Sequence, residues 1–97
     1  MENEKYYTPI KKLYDMCCAL PCNCEFSMHS LDYGGYQLFC IKDGSLEWDA
    51  ICGRGTYGGE DGLVETIGLV DNPCDDVTGF QKPLEVFHIF LDKYYEP

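Results

Sequence analysis

The chain has 97 residues, with 17 acidic side chains against 7 Lys and Arg, for a net charge of −10. It is 45% hydrophobic and 14% aromatic, too apolar for disorder by composition. The charge argues against direct contact with bare DNA, RNA or anionic lipid, and the length allows one domain, 1–97, with a small core.

The N-terminus, Met1-Glu-Asn-Glu-Lys, lacks the basic start and apolar stretch of a secretory signal. No run approaches the roughly 20 apolar residues of a membrane span. A cytoplasmic location is therefore expected. The seven cysteines are an odd number without an export signal, which favours reduced thiols over a disulfide scaffold.

The first predicted element is a helix. Thr8 is the expected N-cap and Pro9 the first helical residue, and Pro21 stops the run. Ile10, Leu13, Tyr14, Cys17 and Leu20 recur at three- and four-residue spacing, with Lys11, Lys12 and Asp15 opposite. Three to four strands follow. Cys24, Phe26 and Met28 alternate with Glu25, Ser27 and His29, and Tyr33-Gly-Gly-Tyr36 offers a turn.

Tyr36–Lys42 and Ser45–Gly53 flank Asp43-Gly44, a two-residue hairpin signal. An unbroken register from that turn sets Ile41 opposite Leu46, Phe39 opposite Trp48 and Leu38 opposite Asp49. It places Phe39, Ile41, Leu46, Trp48 and Ala50 in the core. Glu47 and Asp49 then face outward with Tyr36, Leu38, Cys40 and Lys42.

Five glycines between Gly53 and Gly62 predict a loop, Leu63–Val70 a further strand, and Asp71–Gln81 a second loop. A closing helix starts at Pro83. Its expected stripe is Leu84, Phe87, Leu91 and Tyr94, widened by Val86, Phe90 and Tyr95, with Glu85, His88, Asp92 and Glu96 on the wet side. The fold class is α+β: a small antiparallel sheet of three to four strands with an N-terminal and a C-terminal helix.

The candidate chemistry is sparse. Cys17, Cys18, Cys22 and Cys24 with His29 supply soft ligands, but their C-x4-C and C-x-C spacing is not that of a zinc knuckle, and no metal or other cofactor is expected. Gly53-Arg-Gly-Thr-Tyr-Gly-Gly lacks the lysine and following helix of a phosphate loop. No nucleophile stands beside a base, so the chain reads as non-enzymatic.

Charge is more informative. Residues 13–81 hold twelve acids against Lys42 and Arg54 alone, and no base falls between Gly55 and Gln81. Carboxylates on a rigid sheet and its loops attract a basic surface on another protein, mainly by speeding encounter. The candidate partner-binding residues are Glu47, Asp49, Glu60, Asp61, Asp75 and Asp76, with Tyr36 as aromatic anchor.

Trp48-Asp-Ala-Ile-Cys-Gly, Thr56-Tyr-Gly-Gly-Glu-Asp-Gly-Leu-Val-Glu, Asp76-Val-Thr-Gly-Phe and Pro83-Leu-Glu-Val together resemble a family of small uncharacterised phage and prophage proteins. The likeness covers roughly the C-terminal half and implies a phage origin. That origin implies an inhibitor of a basic, nucleic-acid-handling host protein in the host cytosol, such as an anti-CRISPR factor that mimics nucleic acid. The other readings are a zinc- or thiol-dependent module on the N-terminal cysteines, and a homodimeric structural or regulatory phage protein.

Overall fold

The computed structural model describes residues 4–70 and 77–95. Its elements in order are α1 (Glu4–Cys18), β1 (Cys24–Ser30), β2 (Gly35–Lys42), β3 (Ser45–Gly53), a 3₁₀ turn (Gly59–Asp61), β4 (Val64–Ile67), β5 (Val77–Gln81) and α2 (Pro83–Tyr94). The strands form one antiparallel meander, in the order β1-β2-β3-β4-β5. The class is the expected α+β with a helix at either end, and the sheet has five strands rather than three to four.

The additional strand, β5, lies in the segment expected to be loop. Gly79, a positive φ of 53° at Phe80 and a register shift opposite Val64–Thr66 hide it from any alternation rule. Strand β4 supplies the template: Ile67 pairs with Val77 and Thr66 with Thr78. The buried Thr66 hydroxyl donates to Gln81 Oε1 at 2.7 Å, which satisfies both polar groups inside the core.

Helix α1 begins at least four residues before the expected Thr8 cap and carries Pro9 within it. Pro9 deprives the Lys5 carbonyl of its usual donor. Contacts distant in sequence offset that loss. Lys5 Nζ donates to Glu60 Oε2 at 2.7 Å, and the Tyr6 hydroxyl donates to Glu60 Oε1 at 2.5 Å. A local capping rule has no access to a partner 55 residues away.

The hairpin register is also corrected. Lys42 pairs with Ser45 and Ile41 with Leu46 across the Asp43-Gly44 turn, but the ladder then shifts, so Cys40 faces Trp48, Phe39 faces Asp49 and Leu38 faces Ala50. The extra residue on β3 is Glu47. This bulge exchanges the faces of β2: Leu38 and Cys40 are fully buried, whereas Phe39 and Ile41 turn away and Leu46 is 57% exposed. Gly68, at φ +90°, makes the bulge possible, because a Cβ there would sit 2.9 Å from the Glu47 carbonyl.

The core therefore joins Tyr6, Ile10, Leu13 and Cys17 of α1 to Leu38, Cys40, Trp48, Ala50, Cys52 and Val64 of the sheet, with Leu69 and with Val86 and Phe90 of α2. Phe90 is the aromatic hinge, with ring centroids 5.4 Å from Phe26, 5.7 Å from Trp48 and 5.3 Å from Tyr94. The buried stripe of α2 centres on Val86 and Phe90, and Leu84 and Tyr95 are exposed. Its start lacks a side-chain cap at Lys82; the Lys82 N–H donates instead to Glu85 Oε1 at 3.2 Å.

Candidate functional site

Both helices contribute to the same core, and among the described residues no helix packs on the opposite face of the sheet. Strand alternation and register place on that open face Ser27 and His29 of β1, Gln37, Phe39 and Ile41 of β2, Asp49 and Ile51 of β3, and Glu65 and Ile67 of β4. Its middle row runs Ser27, Phe39, Asp49, Ile67 across four strands. Apolar Phe39 and Ile67 flank Asp49 in that row, and Ile67 is 40% exposed.

The two carboxylates within this face are held in place. Gln37 Nε2 donates to Asp49 Oδ2 at 2.7 Å, and the Tyr57 N–H donates to Glu65 Oε2 at 2.8 Å. Glu25 and Glu47 are exposed at its margin. The His29 ring lies 5.1 Å from that of Phe39, and its Nε2 shares a 3.1 Å hydrogen bond with Ser27 Oγ.

The structure separates the expected partner-binding residues. Glu47 is exposed in the bulge and Asp49 half-buried on the open face. Glu60 and Asp61 lie in the 3₁₀ turn at the other end of β3, where Glu60 is engaged by Lys5 and Tyr6. Those two hydrogen bonds hold the Glu60 carboxyl below its ordinary range. Asp75 and Asp76 lie outside the described residues. Tyr36 falls on the helix side instead of the acidic face, half-buried, with its ring edge-on to Tyr7 at 5.0 Å. The bulge moved it there, together with Leu38 and Cys40.

Sequence reasoning placed Phe39 and Ile41 in the core and gave Ile51 and Ile67 no face; all four lie on the open face, Ile67 exposed and the other three half-buried. The signal available was that β2 is apolar at both odd and even positions, so two faces compete for burial.

The glycine-rich loop is structural. Thr56 Oγ1 accepts from the Gly53 N–H at 3.0 Å and donates to the Gly53 carbonyl at 2.8 Å. Gly59 packs so closely on the Gly53 carbonyl and Thr56 Oγ1 that any Cβ would collide with both. Beside the loop, an open cleft of about 520 Å³ is lined by Lys5, Asp32, Tyr33, Arg54 and Glu60 among others. Its charges are mixed, and its lining contains no His or Cys.

Thiols form the remaining concentration of reactive groups. Burial pushes the Cys17 and Cys40 thiols well above the usual range, and Cys52 is pushed up to about 11. Among the described residues, no three His, Cys, Asp or Glu side chains are disposed to hold a metal ion. No helix among them is long and apolar enough to cross a membrane. Comparison with protein-family models, curated proteins and solved structures found no match.

Proposed function

We propose that this protein is a non-enzymatic, acidic binding protein of the cytosol. It docks the open face of its sheet on a basic surface of a nucleic-acid-handling protein and competes there with DNA or RNA. The observation that carries this reading is a five-stranded sheet that, among the described residues, helices cover on one side only. Its other side presents Phe39, Ile41, Ile51 and Ile67 interleaved with the carboxylates of Asp49 and Glu65.

Apolar side chains of that kind supply contact area, and the carboxylates among them supply charge for a partner of opposite sign. The net charge of −10 selects the partner. A second copy of the chain would bring like charge against like, whereas a basic groove is attracted before contact. Asp49 and Glu65 are already fixed by their hydrogen bonds, so less side-chain freedom is lost on binding than for free surface acids. The likeness of parts of residues 48–86 to phage proteins directs the search to bacterial host factors.

The test is capture from a bacterial lysate, followed by purification of each captured protein and competition with duplex DNA or RNA in rising salt. The expected partner is released by nucleic acid, and salt slows its association more than it speeds its dissociation. Glu47→Lys with Asp49→Lys should weaken binding by more than about tenfold, beyond the 0–1 kcal/mol of one exposed ion pair. Unchanged binding by the folded double variant would contradict the reading.

A further inference from the structure

The sheet ends in two unlike edges. Strand β5 is short and is blunted by Gly79, by the positive φ of 53° at Phe80 and by its register shift against β4. Strand β1 carries none of these devices. Its seven residues, Cys24–Ser30, pair with β2 without a break and include no proline, glycine or lysine. It stands last in the sheet, and among the described residues no backbone hydrogen bond reaches its outer side. A regular, uncovered edge of that kind is a template for another strand.

The phase of the ladder decides which groups face out. The Leu31 N–H donates to the Gly35 carbonyl at 2.9 Å, one step beyond the Ser30–Tyr36 pair. Directly opposed residues alternate between hydrogen-bonded and non-bonded pairs, so Glu25, Ser27 and His29 bond to β2. Cys24, Phe26, Met28 and Ser30 therefore turn their N–H and C=O groups outward. Their side chains lie on the helix side, where Phe26 and Met28 are half-buried and pack against the core. The side chains of Glu25, Ser27 and His29 belong to the open side of the sheet.

We propose that β1 is a dimerisation edge, pairing antiparallel with β1 of a second copy about a two-fold axis at Ser27. That register uses the whole strand. Phe26 exchanges hydrogen bonds with Met28 of the partner subunit, and Cys24 does so with Ser30 of the partner subunit. It also sets Glu25 against the partner's His29 in a non-bonded pair, where side chains approach most closely and the carboxylate accepts from the imidazole N–H. Other symmetric registers lose this match. An axis at Glu25 opposes two carboxylates, and an axis at Phe26 or Met28 shortens the overlap and separates Glu25 from His29. On the helix side, Phe26 meets the partner's Met28, so each covers apolar surface that the other leaves half-exposed.

Glu25 is the one Asp, Glu, Lys or Arg in β1, so the edge itself brings little like charge together. The two net charges of −10 still repel at a distance, and salt should therefore tighten the dimer. The second copy lies beside the open face, not on it. The inference does not rest on the docking proposal.

The experiment is sedimentation velocity of the full chain over a concentration series at low and high salt. A species of twice the chain mass is expected, and its share should grow with salt, whereas salt weakens docking on a basic partner. Ser27→Lys puts two ammonium groups face to face at the axis and should leave only monomer. Ser27→Cys, opposed to its own copy at a Cα separation of about 4.5 Å, should form on mild oxidation a disulfide between the two positions 27, mapped by mass spectrometry of a non-reducing digest. Amide exchange needs no variant: the Phe26 and Met28 amides should slow as concentration rises, while that of Ser27 stays as it was. A monomer at every concentration and salt, a dimer that survives Ser27→Lys, a Ser27→Cys dimer linked elsewhere, or Phe26 and Met28 exchange that ignores concentration would overturn the inference. Circular dichroism establishes that each variant is folded.

Discussion

The two faces of the sheet are made from similar residues and meet different fates. On the helix side Leu38, Cys40, Trp48, Ala50 and Val64 are sealed beneath α1 and α2. On the other side Phe39, Ile41, Ile51 and Ile67 are as apolar but lie under no helix among the described residues. The difference was settled by one inserted residue, Glu47, whose bulge turned the even positions of β2 inward. Hydrophobicity thus identified the strands, while backbone geometry chose the core.

The strongest way to break this comparison is to truncate one residue on either side. Leu38→Ala should cost about 2–5 kcal/mol, because it removes side-chain volume from a closed core. Phe39→Ala, next to it in sequence, should cost about 1 kcal/mol or less despite removing more carbon. Urea unfolding of both variants measures the contrast, and equal costs would mean that the open face is closed in solution.

The bulge itself comes next. Gly68→Ala places a Cβ against the Glu47 carbonyl in a left-handed conformation that side chains resist, and should cost about 1–3 kcal/mol. A smaller effect is expected at Trp48. Its indole Nε1 is buried with no hydrogen-bond partner among the described residues. Trp48→Phe loses packing but also removes that orphaned donor, so the net cost in a denaturant titration should be about 1 kcal/mol.

The smallest effect concerns pH. The Glu60 carboxyl is lowered by its hydrogen bonds from Lys5 and Tyr6, so its contribution is complete above the ordinary carboxylate value of 4.5 and fades as pH falls through the folded value. Lys5, raised by the same partner, loses its share only as pH climbs beyond 10.5. Thermal melts of Glu60→Gln should therefore show a shallower acid decline than the parent, with the pH 6–8 plateau slightly lowered.

Much of the fold was legible because it was locally encoded. The Asp43-Gly44 turn, the amphipathic stripe from Ile10 to Cys17, the burial of Trp48 and the start of α2 at Pro83 each follow from a few neighbouring residues. What escaped was set at a distance. The early start of α1 depends on Glu60, β5 depends on the edge offered by β4, and the register of β3 depends on Gly68. The candidate surface was half visible for the same reason. Glu47 and Asp49 followed from the hairpin, but Tyr36 was assigned to the wrong face once the bulge intervened.

The central claim is that the uncovered face of the sheet is where a basic partner sits. Binding by a Phe39→Asp, Ile67→Asp double variant tests it most directly, because both changes keep the protein acidic and leave the helix-side core intact. Titration calorimetry against the captured partner should show binding weakened at least tenfold, with the melting temperature within a few degrees of the parent. Parent-like affinity in that folded, more acidic variant would place the partner elsewhere on the molecule.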